Sequence, residues 1–399
     1  MRKISYNIKQ KFLKHLFFYL FAVMTVLSSC CKNDEPQQNY THTVLLYFPW
    51  SGTKTGNSGS LYGEFLQNVE SIKRAIVKEQ GTGTTRVMMI LANSATQGQL
   101  GEIVYNNGAC TVKTLKQYSD WSFTTKANIR KMFNDAADYS QTATYSMLIG
   151  SHGMGWLPRE SRPDKRYAFG GISPEVMTNI DVLDSAIVES KMKHLEYLCF
   201  DDCYMANIET AYQLRHATDF LIASTSEIMR IGLPYDDIWT YLKSLEPNYH
   251  AIVEKFSDFY SSYTYPYGAL SVVDCRQTER AASLMRQLNM LMTASGLKSS
   301  DIRVQALDGF EDNVFFDMKA YTEGVIKAVA APAALSDALR ELYANMIPAH
   351  TCTPNLYSVY LRGNIFKVDS NCGLTISDPT VNRQATPYIH STPFWNATH

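Results

Sequence analysis

The sequence predicts an α/β fold in which helices cover both faces of a mostly parallel sheet, followed by a helix-rich C-terminal part. Apolar runs typical of buried strands alternate with amphipathic helical segments over the first half of the chain, as in parallel sheets covered on both faces. Beyond about residue 235 helical patterns predominate. The 399 residues are 45% hydrophobic and 19% charged, which is sufficient for one large domain or two smaller ones.

The elements of the first half follow from the spacing of their apolar residues. In the segment 61–79, apolar residues from Leu61 to Ile76 recur at intervals of three or four, the spacing of one helix face. Asn107 and Gly108 separate two short runs and predict a hairpin turn. The predicted strands span 42–50, 85–93, 145–153, 194–202 and 219–225, and the predicted helices span 61–79, 124–139, 182–190 and 205–217.

The C-terminal part combines clear helical patterns with short strands that return to the sheet. The predicted helices span 235–245, 250–263, 278–295 and 334–347, and the predicted strands span 268–275, 356–361 and 372–377.

The amino terminus has the pattern of an export signal. The first 29 residues contain five Lys or Arg and no acid, and their apolar run of twelve residues is too short to span a bilayer. The sequence LSSC at 27–30 resembles the bacterial lipobox, whose cysteine is lipidated and becomes the first residue of the mature chain. We therefore expect a signal peptide over 1–29, a lipidated Cys30 and a tether over 30–41. An ordinary signal peptide cleaved nearby is the alternative.

The tether and the overall charge indicate where the protein acts. Asp34 and Glu35 resemble the tag by which some Gram-negative bacteria export lipoproteins to the cell surface. We expect a location in the cell envelope, with the lipid on Cys30 in a membrane and the protein on the outer-membrane surface. The net charge of −1, together with the basic leader, leaves a mildly acidic body, which gives no electrostatic footprint for nucleic acid.

Chemically capable residues follow two of the predicted strands. His152 lies where the strand at 145–153 runs into a turn, and Cys203 follows the strand at 194–202. Because sites form at the carboxyl ends of parallel strands, we expect the imidazole to lie near the thiol. A histidine with a pKa near 6.5 is a suitable base for a thiol nucleophile. We also expect the start of the following helix to lower the pKa of Cys203.

The glycines after His152 would let backbone N–H groups approach a substrate, so the N–H groups of Gly153 and Cys203 could form an oxyanion hole. The alternatives are a buried structural cysteine with a turn histidine, or a metal site of His152, Asp201 and Cys203, for which further ligands with suitable spacing are missing.

Eight cysteines occur in the chain, of which Cys352 and Cys372 could form a disulfide.

The two strand ends together resemble the clostripain family of cysteine peptidases. The matching motifs are HGMGW from His152 to Trp156 and FDDCYMA from Phe200 to Ala206. The resemblance continues through NIETAYQL, LIASTSEIMRIGLPYDDI and CGLTIS, and covers roughly residues 42–399. It implies a caspase, gingipain or legumain type of α/β/α sandwich that hydrolyses peptide bonds. It also implies that His152 is the base and Cys203 the nucleophile of a dyad that needs no third member.

The resemblance also suggests which residues bind the substrate. In the family, the acid two residues before the cysteine is linked to a preference for Arg or Lys on the acyl side of the scissile bond, and this position is Asp201 here. A carboxylate in a partly dehydrated pocket pairs strongly with such a cation. Asp202 departs from the small residue usual at its position, so the two acids could exchange roles. Glu227 lies in a loop that resembles a substrate-side loop. Capping of the next helix is a compatible alternative for Asp201.

The loop at 157–171 carries four basic residues and two prolines, which predicts an exposed segment. Several clostripain relatives cut themselves in this region, so we expect self-cleavage after Lys165 or Arg166; a merely solvated loop is the alternative.

The resemblance implies no organic cofactor. Calcium dependence occurs in the family, although no acidic cluster here has the pattern of a calcium loop.

These observations predict a lipid-anchored, exported cysteine endopeptidase that cuts proteins or peptides after Arg or Lys through a thioester. A surface lipoprotein that keeps the fold only to bind a protein partner is one alternative. A transpeptidase of the same fold is another, since it differs only in whether an amine outcompetes water.

Overall fold

A sheet of mainly parallel strands carries the site of interest. The computed structural model describes residues 39–52, 60–159, 169–171 and 176–399, in which Tyr40–His399 form one compact unit. The strands are β1 (His42–Phe48), β2 (Thr85–Ala92), β3 (Gly98–Asn106), β4 (Ala109–Tyr118), β5 (Thr144–Gly150), β6 (Phe169–Gly170), β7 (Met177–Thr178), β8 (Leu195–Asp201), β9 (Thr218–Ala223), β10 (Ala269–Asp274), β11 (Phe316–Asp317), β12 (Ala349–Cys352), β13 (Asn355–Tyr357), β14 (Ile365–Lys367) and β15 (Thr375–Ile376).

The helices lie between these strands and after them. They are α1 (Tyr62–Lys78), α2 (Lys126–Ser140), α3 (Ile180–Val188), α4 (Ile208–Leu214), α5 (Tyr235–Leu242), α6 (Tyr249–Ser262), α7 (Thr278–Ser295), α8 (Met318–Ala328), α9 (Ala333–Met346), α10 (Thr386–Ile389) and α11 (Pro393–Thr398).

The main sheet has parallel strands at its centre and antiparallel strands at both edges. Within the described residues its order is β12-β10-β9-β8-β5-β1-β2-β3-β4. Neighbouring strands from β9 to β2 pair in parallel. The pairs at both edges, from β2 to β4 and from β9 to β12, are antiparallel. The prediction of a mostly parallel sheet covered by helices is therefore confirmed.

The two faces of the sheet bury separate apolar cores. Because side chains alternate along a strand, Tyr47 of β1 belongs to one core and its neighbours Leu46 and Phe48 belong to the other. The first core packs against α2, α3, α4, α7, α8 and α9, and the second packs against α1, α5 and α6. This two-sided burial explains why the central strands are apolar throughout rather than alternating.

Several predicted elements have the expected type, and others are shorter than predicted. The hairpin between β3 and β4 turns at Asn107 and Gly108, whose φ angles of 48° and 81° are positive as that turn requires. The helix predicted over 205–217 is only Ile208–Leu214, because Asn207 caps its first turn.

Two strands predicted to return to the sheet do not join the main sheet. The strand predicted over 356–361 is limited to β13, which forms a small hairpin with β14. The strand predicted over 372–377 is limited to β15, which pairs with β11.

In the portion of the chain that the structure describes, no helix is long and apolar enough to cross a bilayer. The predicted signal peptide and Cys30 lie outside the described residues.

Replacing Leu148 by Ala should destabilise the fold strongly, because this residue of β5 is fully buried within the second core. We expect a loss of about 2–5 kcal/mol in the free energy of unfolding, measured by urea denaturation. The matched control is Leu66→Ala on α1, where the side chain is 42% exposed and the change should be within about 0.5 kcal/mol. Equal effects at both sites would contradict this account of the sheet.

Candidate active site

The ends of β5 and β8 bring His152 and Cys203 to one edge of the sheet. These strands are parallel neighbours, and Gly150 lies opposite Asp201 in their register. His152 and Cys203 each lie two residues beyond that pair. The topology therefore places the imidazole-bearing and thiol-bearing segments side by side, as the sequence predicted.

The backbone of His152 is held by a bridge to Gly170. The N–H of His152 donates to the carbonyl of Gly170 at 3.1 Å, and the N–H of Gly170 donates back at 3.0 Å. The next residue, Gly153, packs so closely on the other strand end that a Cβ there would lie 2.6 Å from the carbonyl oxygen of Cys203. Glycine is thus required for the close approach of these two segments.

The thiol of Cys203 is half-buried against the loop that follows β9. The backbone N–H of Ile228 donates to Sγ at 3.4 Å. Burial raises the pKa of the Cys203 thiol well above its ordinary value, and the nearby Glu227 carboxylate raises it further.

The expectation that a helix N-terminus lowers the pKa of Cys203 is therefore wrong for this conformation. Helix α4 begins only at Ile208, and Asn207 is its cap, accepting a hydrogen bond from the Thr210 N–H at 2.8 Å. Between the thiol and the cap, the chain turns through Tyr204 with a positive φ of 61°. The helix cap also removes the alternative role for Asp201.

Asp201 is buried at the end of β8, where one of its carboxylate oxygens accepts hydrogen bonds and the other does not. The Tyr235 hydroxyl donates to Oδ2 at 2.8 Å, and the Asn68 amide donates to the same oxygen at 3.3 Å. Among the described residues, Oδ1 has no hydrogen-bond partner. Burial raises the pKa of Asp201 to about 6, opposed by the Tyr235 hydroxyl. Gly232 leaves room for this carboxylate, since a Cβ there would lie 2.5 Å from Oδ2.

Asp202 points to the neighbouring strand instead. The Ser151 N–H donates to Oδ1 at 2.6 Å, and the Ser151 hydroxyl donates to Oδ2 at 2.7 Å. Burial raises the pKa of Asp202 well above its ordinary value. These contacts engage both oxygens within the fold, so they do not support the substrate contact that the sequence suggested for Asp202.

Glu227 joins the nucleophile segment to the hairpin of β13 and β14. Its Oε1 accepts hydrogen bonds from the Tyr204 hydroxyl at 2.8 Å, from the Ser358 hydroxyl at 2.7 Å and from the Val359 N–H at 3.0 Å. Because Tyr204 directly follows Cys203, Glu227 fixes the position of this hairpin relative to the thiol.

Sequence reasoning missed the residues that support these groups. Ser151 and Ile228 act through a backbone N–H, which every residue except proline possesses, so no motif marks them. Tyr235 and Asn68 approach Asp201 from separate helices. Only the glycine at 232, in a loop of otherwise larger residues, carried a signal that could have indicated a close approach.

Other predicted features are settled in part. Within the described ranges the six cysteines, including Cys352 and Cys372, are free. In those same ranges no cluster of three or more His, Cys, Asp or Glu could hold a metal ion. Lys165 and Arg166 lie outside the described residues.

Comparisons with known proteins agree with this geometry. The family model of the clostripain family (peptidase C11) matches residues 87–380. The secreted C11 cysteine protease iotapain of Bacteroides thetaiotaomicron is 33% identical, with a TM-score of 0.79 over 90% of this chain and 99% of that chain.

The chain belongs to the clostripain family.

Two further structures resemble this clostripain-family chain. An inactive zymogen C11 protease from Parabacteroides distasonis is 21% identical, with a TM-score of 0.75, and the match covers 90% of this chain and 99% of that one. A clostripain from Bacteroides thetaiotaomicron in complex with the peptide inhibitor BTN-VLTK-AOMK is 33% identical, with a TM-score of 0.51, over 58% of this chain and 99% of that one. A search of curated proteins gives no match.

The family membership confirms two predictions from the sequence. The chain is a clostripain-type cysteine peptidase, and its fold is the caspase-like α/β/α sandwich of that family. The roles of individual residues are a separate question, which the geometry above addresses.

The raised pKa of Cys203 makes its reactivity in the unliganded clostripain-family chain predictable. Because the thiol stays protonated near neutral pH, alkylation by iodoacetamide at pH 7.5 should be about tenfold or more slower than that of glutathione, and should keep rising toward pH 10. Peptide mapping by mass spectrometry would follow Cys203 separately from the half-buried Cys110. A rate that is already constant between pH 6 and 8 would contradict this prediction, since it would indicate a thiolate paired with imidazolium.

Proposed function

We propose that the chain is a lipid-anchored, exported endopeptidase in which His152 and Cys203 form the catalytic dyad and cut after Arg or Lys. The observation that carries the dyad is the register of β5 and β8, which sets both residues two positions beyond the facing pair Gly150 and Asp201. Both segments are further fixed by buried hydrogen bonds, which is what a preorganised catalytic pair needs.

In the proposed reaction, His152 accepts the thiol proton of Cys203 as Sγ forms a bond to the carbonyl carbon of the substrate. The C–N bond then breaks, and the amine leaves with the proton from His152, which gives a thioester on Cys203. Water attacks the thioester, His152 accepts its proton, and the thiol is restored when the acid departs. A protonated resting thiol requires such a base, which agrees with the raised pKa of Cys203.

The N–H groups of Gly153 and Cys203 are proposed to bind the oxyanion. The two residues lie in contact, as the space around Gly153 shows. Within the described part of the chain, neither N–H donates a hydrogen bond to another residue. Two adjacent unpaired N–H groups beside a nucleophile are the donor set that stabilises a tetrahedral intermediate.

Asp201 is proposed to recognise the basic side chain of the substrate. A buried carboxylate oxygen without a partner is unfavourable, and a guanidinium or ammonium would supply the missing donor. An adjoining cavity of about 400 Å³ is lined by Asn68 and Tyr235 together with the acids Glu64, Glu70, Asp236 and Asp237 and with Arg74. The related clostripain was captured with an inhibitor whose peptide sequence ends in lysine.

Glu227 is proposed to act on the substrate side through the hairpin that it holds, rather than through a direct contact. Its bonds to Ser358 and Val359 place that hairpin beside Tyr204, and so beside the thiol.

Location and activation complete the proposal. The LSSC sequence at 27–30 and the secreted state of the relative iotapain support export with a lipid on Cys30. The basic residues Lys165 and Arg166, between the two dyad members, match the proposed specificity. A relative exists as an inactive zymogen, which supports activation by self-cleavage at this loop.

The proposal is tested with fluorogenic peptides that end in Arg, Lys, Asn, Asp or Leu. Wild type should cleave after Arg or Lys, and Cys203→Ala and His152→Ala should each lower kcat/KM by at least about a thousandfold. Asp201→Asn should lower kcat/KM for Arg and Lys peptides by about a hundredfold, because it removes the charge of the pocket.

The pH dependence of cleavage distinguishes the effect of the Asp201 charge from the effect of its side-chain shape. Below the Asp201 pKa of about 6 the wild-type carboxyl becomes neutral, so wild type and Asp201→Asn should converge toward pH 5. The exposed acid Asp337 on α9, which does not line that cavity, provides the control, since Asp337→Asn should leave the preference unchanged. Efficient wild-type cleavage after Leu would refute the pocket assignment, and cleavage by Cys203→Ala would refute the dyad.

Self-cleavage is tested by intact mass spectrometry of the purified chain from residue 40. Wild type should separate into two fragments, the first ending at Lys165 or Arg166 and the second beginning at Arg166 or Tyr167, whereas Cys203→Ala should stay whole. The double variant Lys165→Gln/Arg166→Gln keeps the dyad and should also stay whole. A single intact mass for wild type after prolonged incubation would sink the idea.

A further inference from the structure

Asp202 occupies an unusual environment for a carboxylate. Its side chain is 1% exposed, it lies directly before Cys203, and among the described residues no Lys or Arg forms an ion pair with it. A buried carboxyl without a cation is unfavourable unless hydrogen bonds compensate it. Here both compensating bonds come from one residue, Ser151, which lies directly before His152.

Ser151 in turn connects to the segment that pairs with His152. Its Oγ accepts a hydrogen bond from the Gly170 N–H at 3.1 Å. Gly170 also exchanges backbone hydrogen bonds with His152 in both directions. The hydrogen bonds therefore run from Asp202 through Ser151 to Gly170 and back to His152, and all of these groups except His152 are buried.

Parallel strand pairing alone does not fix the residues beyond the strand ends. The β5–β8 pairing ends at Gly150 and Asp201, so Ser151 and Asp202 are the first residues past it. The bonds between them extend the connection by one residue on each side, up to His152 and Cys203. A Cβ on Gly153 would lie 2.7 Å from Cβ of Asp202, so the following backbone packs on the same bridge.

We propose that Asp202 and Ser151 form a positioning bridge that sets the separation and orientation of His152 and Cys203. This inference rests on the proposed dyad, and it assigns Asp202 a function other than binding substrate. Loss of the bridge leaves both reacting groups present but misaligned, and a misplacement of about 1 Å reduces turnover by roughly a hundredfold.

The variants Asp202→Asn and Ser151→Ala test the bridge in complementary ways. Asparagine keeps an acceptor for the Ser151 N–H and the same shape, whereas Ser151→Ala removes the hydrogen bonds of the hydroxyl to Asp202 and Gly170 without a change in charge. For each we expect kcat on the Arg peptide to fall by about tenfold to a hundredfold with KM nearly unchanged. Because both variants break one bridge, the double variant should fall no further than the more damaged single variant.

Alkylation of Cys203 supplies a readout that does not depend on turnover. The Asp202 charge is among the causes that raise the pKa of the thiol, so loss of charge alone would move the pH profile of alkylation to lower pH. Misalignment with His152 should not move the profile, because the resting thiol is protonated rather than paired with imidazolium. We expect Ser151→Ala to lose kcat while it keeps the wild-type alkylation profile; a loss of kcat confined to Asp202→Asn, together with a shift of its profile to lower pH, would overturn the proposal.

A second buried acid, Asp274, provides the control that distinguishes a positioning role of Asp202 from a purely structural one. Asp274 is 7% exposed and bonds Arg276 at the end of β10, away from the dyad. Asp274→Asn should lower the melting temperature and leave kcat and the alkylation profile unchanged. If Asp202→Asn behaves in the same way, the bridge is only structural. If wild type and His152→Ala cleave equally, the proposed dyad fails; if His152→Ala is inactive while both bridge variants keep the wild-type kcat, the bridge alone fails.

Discussion

The parallel pairing of β5 with β8 is the constraint on which the site depends. A slip of one residue in either strand would turn every following side chain to the opposite face. Apolar residues on both faces of these strands prevent such a slip, because Leu148 and Cys199 belong to one core whereas Met147 and Leu198 belong to the other. The position of the reacting groups is therefore set by the packing of residues that take no part in the chemistry. This arrangement also explains why the site lies at the carboxyl edge of the sheet, where loops can differ without disturbing the cores.

Three carboxyl groups, those of Asp201, Asp202 and Glu227, lie near Cys203, and their hydrogen-bond partners differ. Asp202 is bonded entirely within the fold by Ser151. Glu227 directs one oxygen to Tyr204 and the hairpin beyond it. Of these three, Asp201 has a buried oxygen, Oδ1, without a hydrogen-bond partner among the described residues, and Gly232 leaves space for that carboxylate. Acids that look equivalent in the sequence are thus separated into positioning groups and a group available to a ligand.

The sequence predicted the α/β layers, the order of the central elements along the chain and the neighbouring strand ends that carry His152 and Cys203, because burial on both faces and helical spacing leave strong periodic signals. It did not predict the short form of α4, since a cap at Asn207 depends on where the chain turns after Tyr204. It also missed the Asp202–Ser151 bridge. That contact joins residues 51 positions apart through a backbone N–H, and a backbone group has no signature in a sequence.

The separation between Cys203 and the start of helix α4 has a physical consequence for specificity. With α4 starting five residues after Cys203, no helix dipole offsets the burial of the thiol, and the neighbouring carboxylates raise its pKa. Asp201 is one of these carboxylates. Under the proposed specificity, a cationic side chain bound to Asp201 would oppose that effect and favour the thiolate. Substrate recognition would then assist activation of the nucleophile, since the cation in the pocket would offset one of the carboxylates that add to the effect of burial on the thiol pKa.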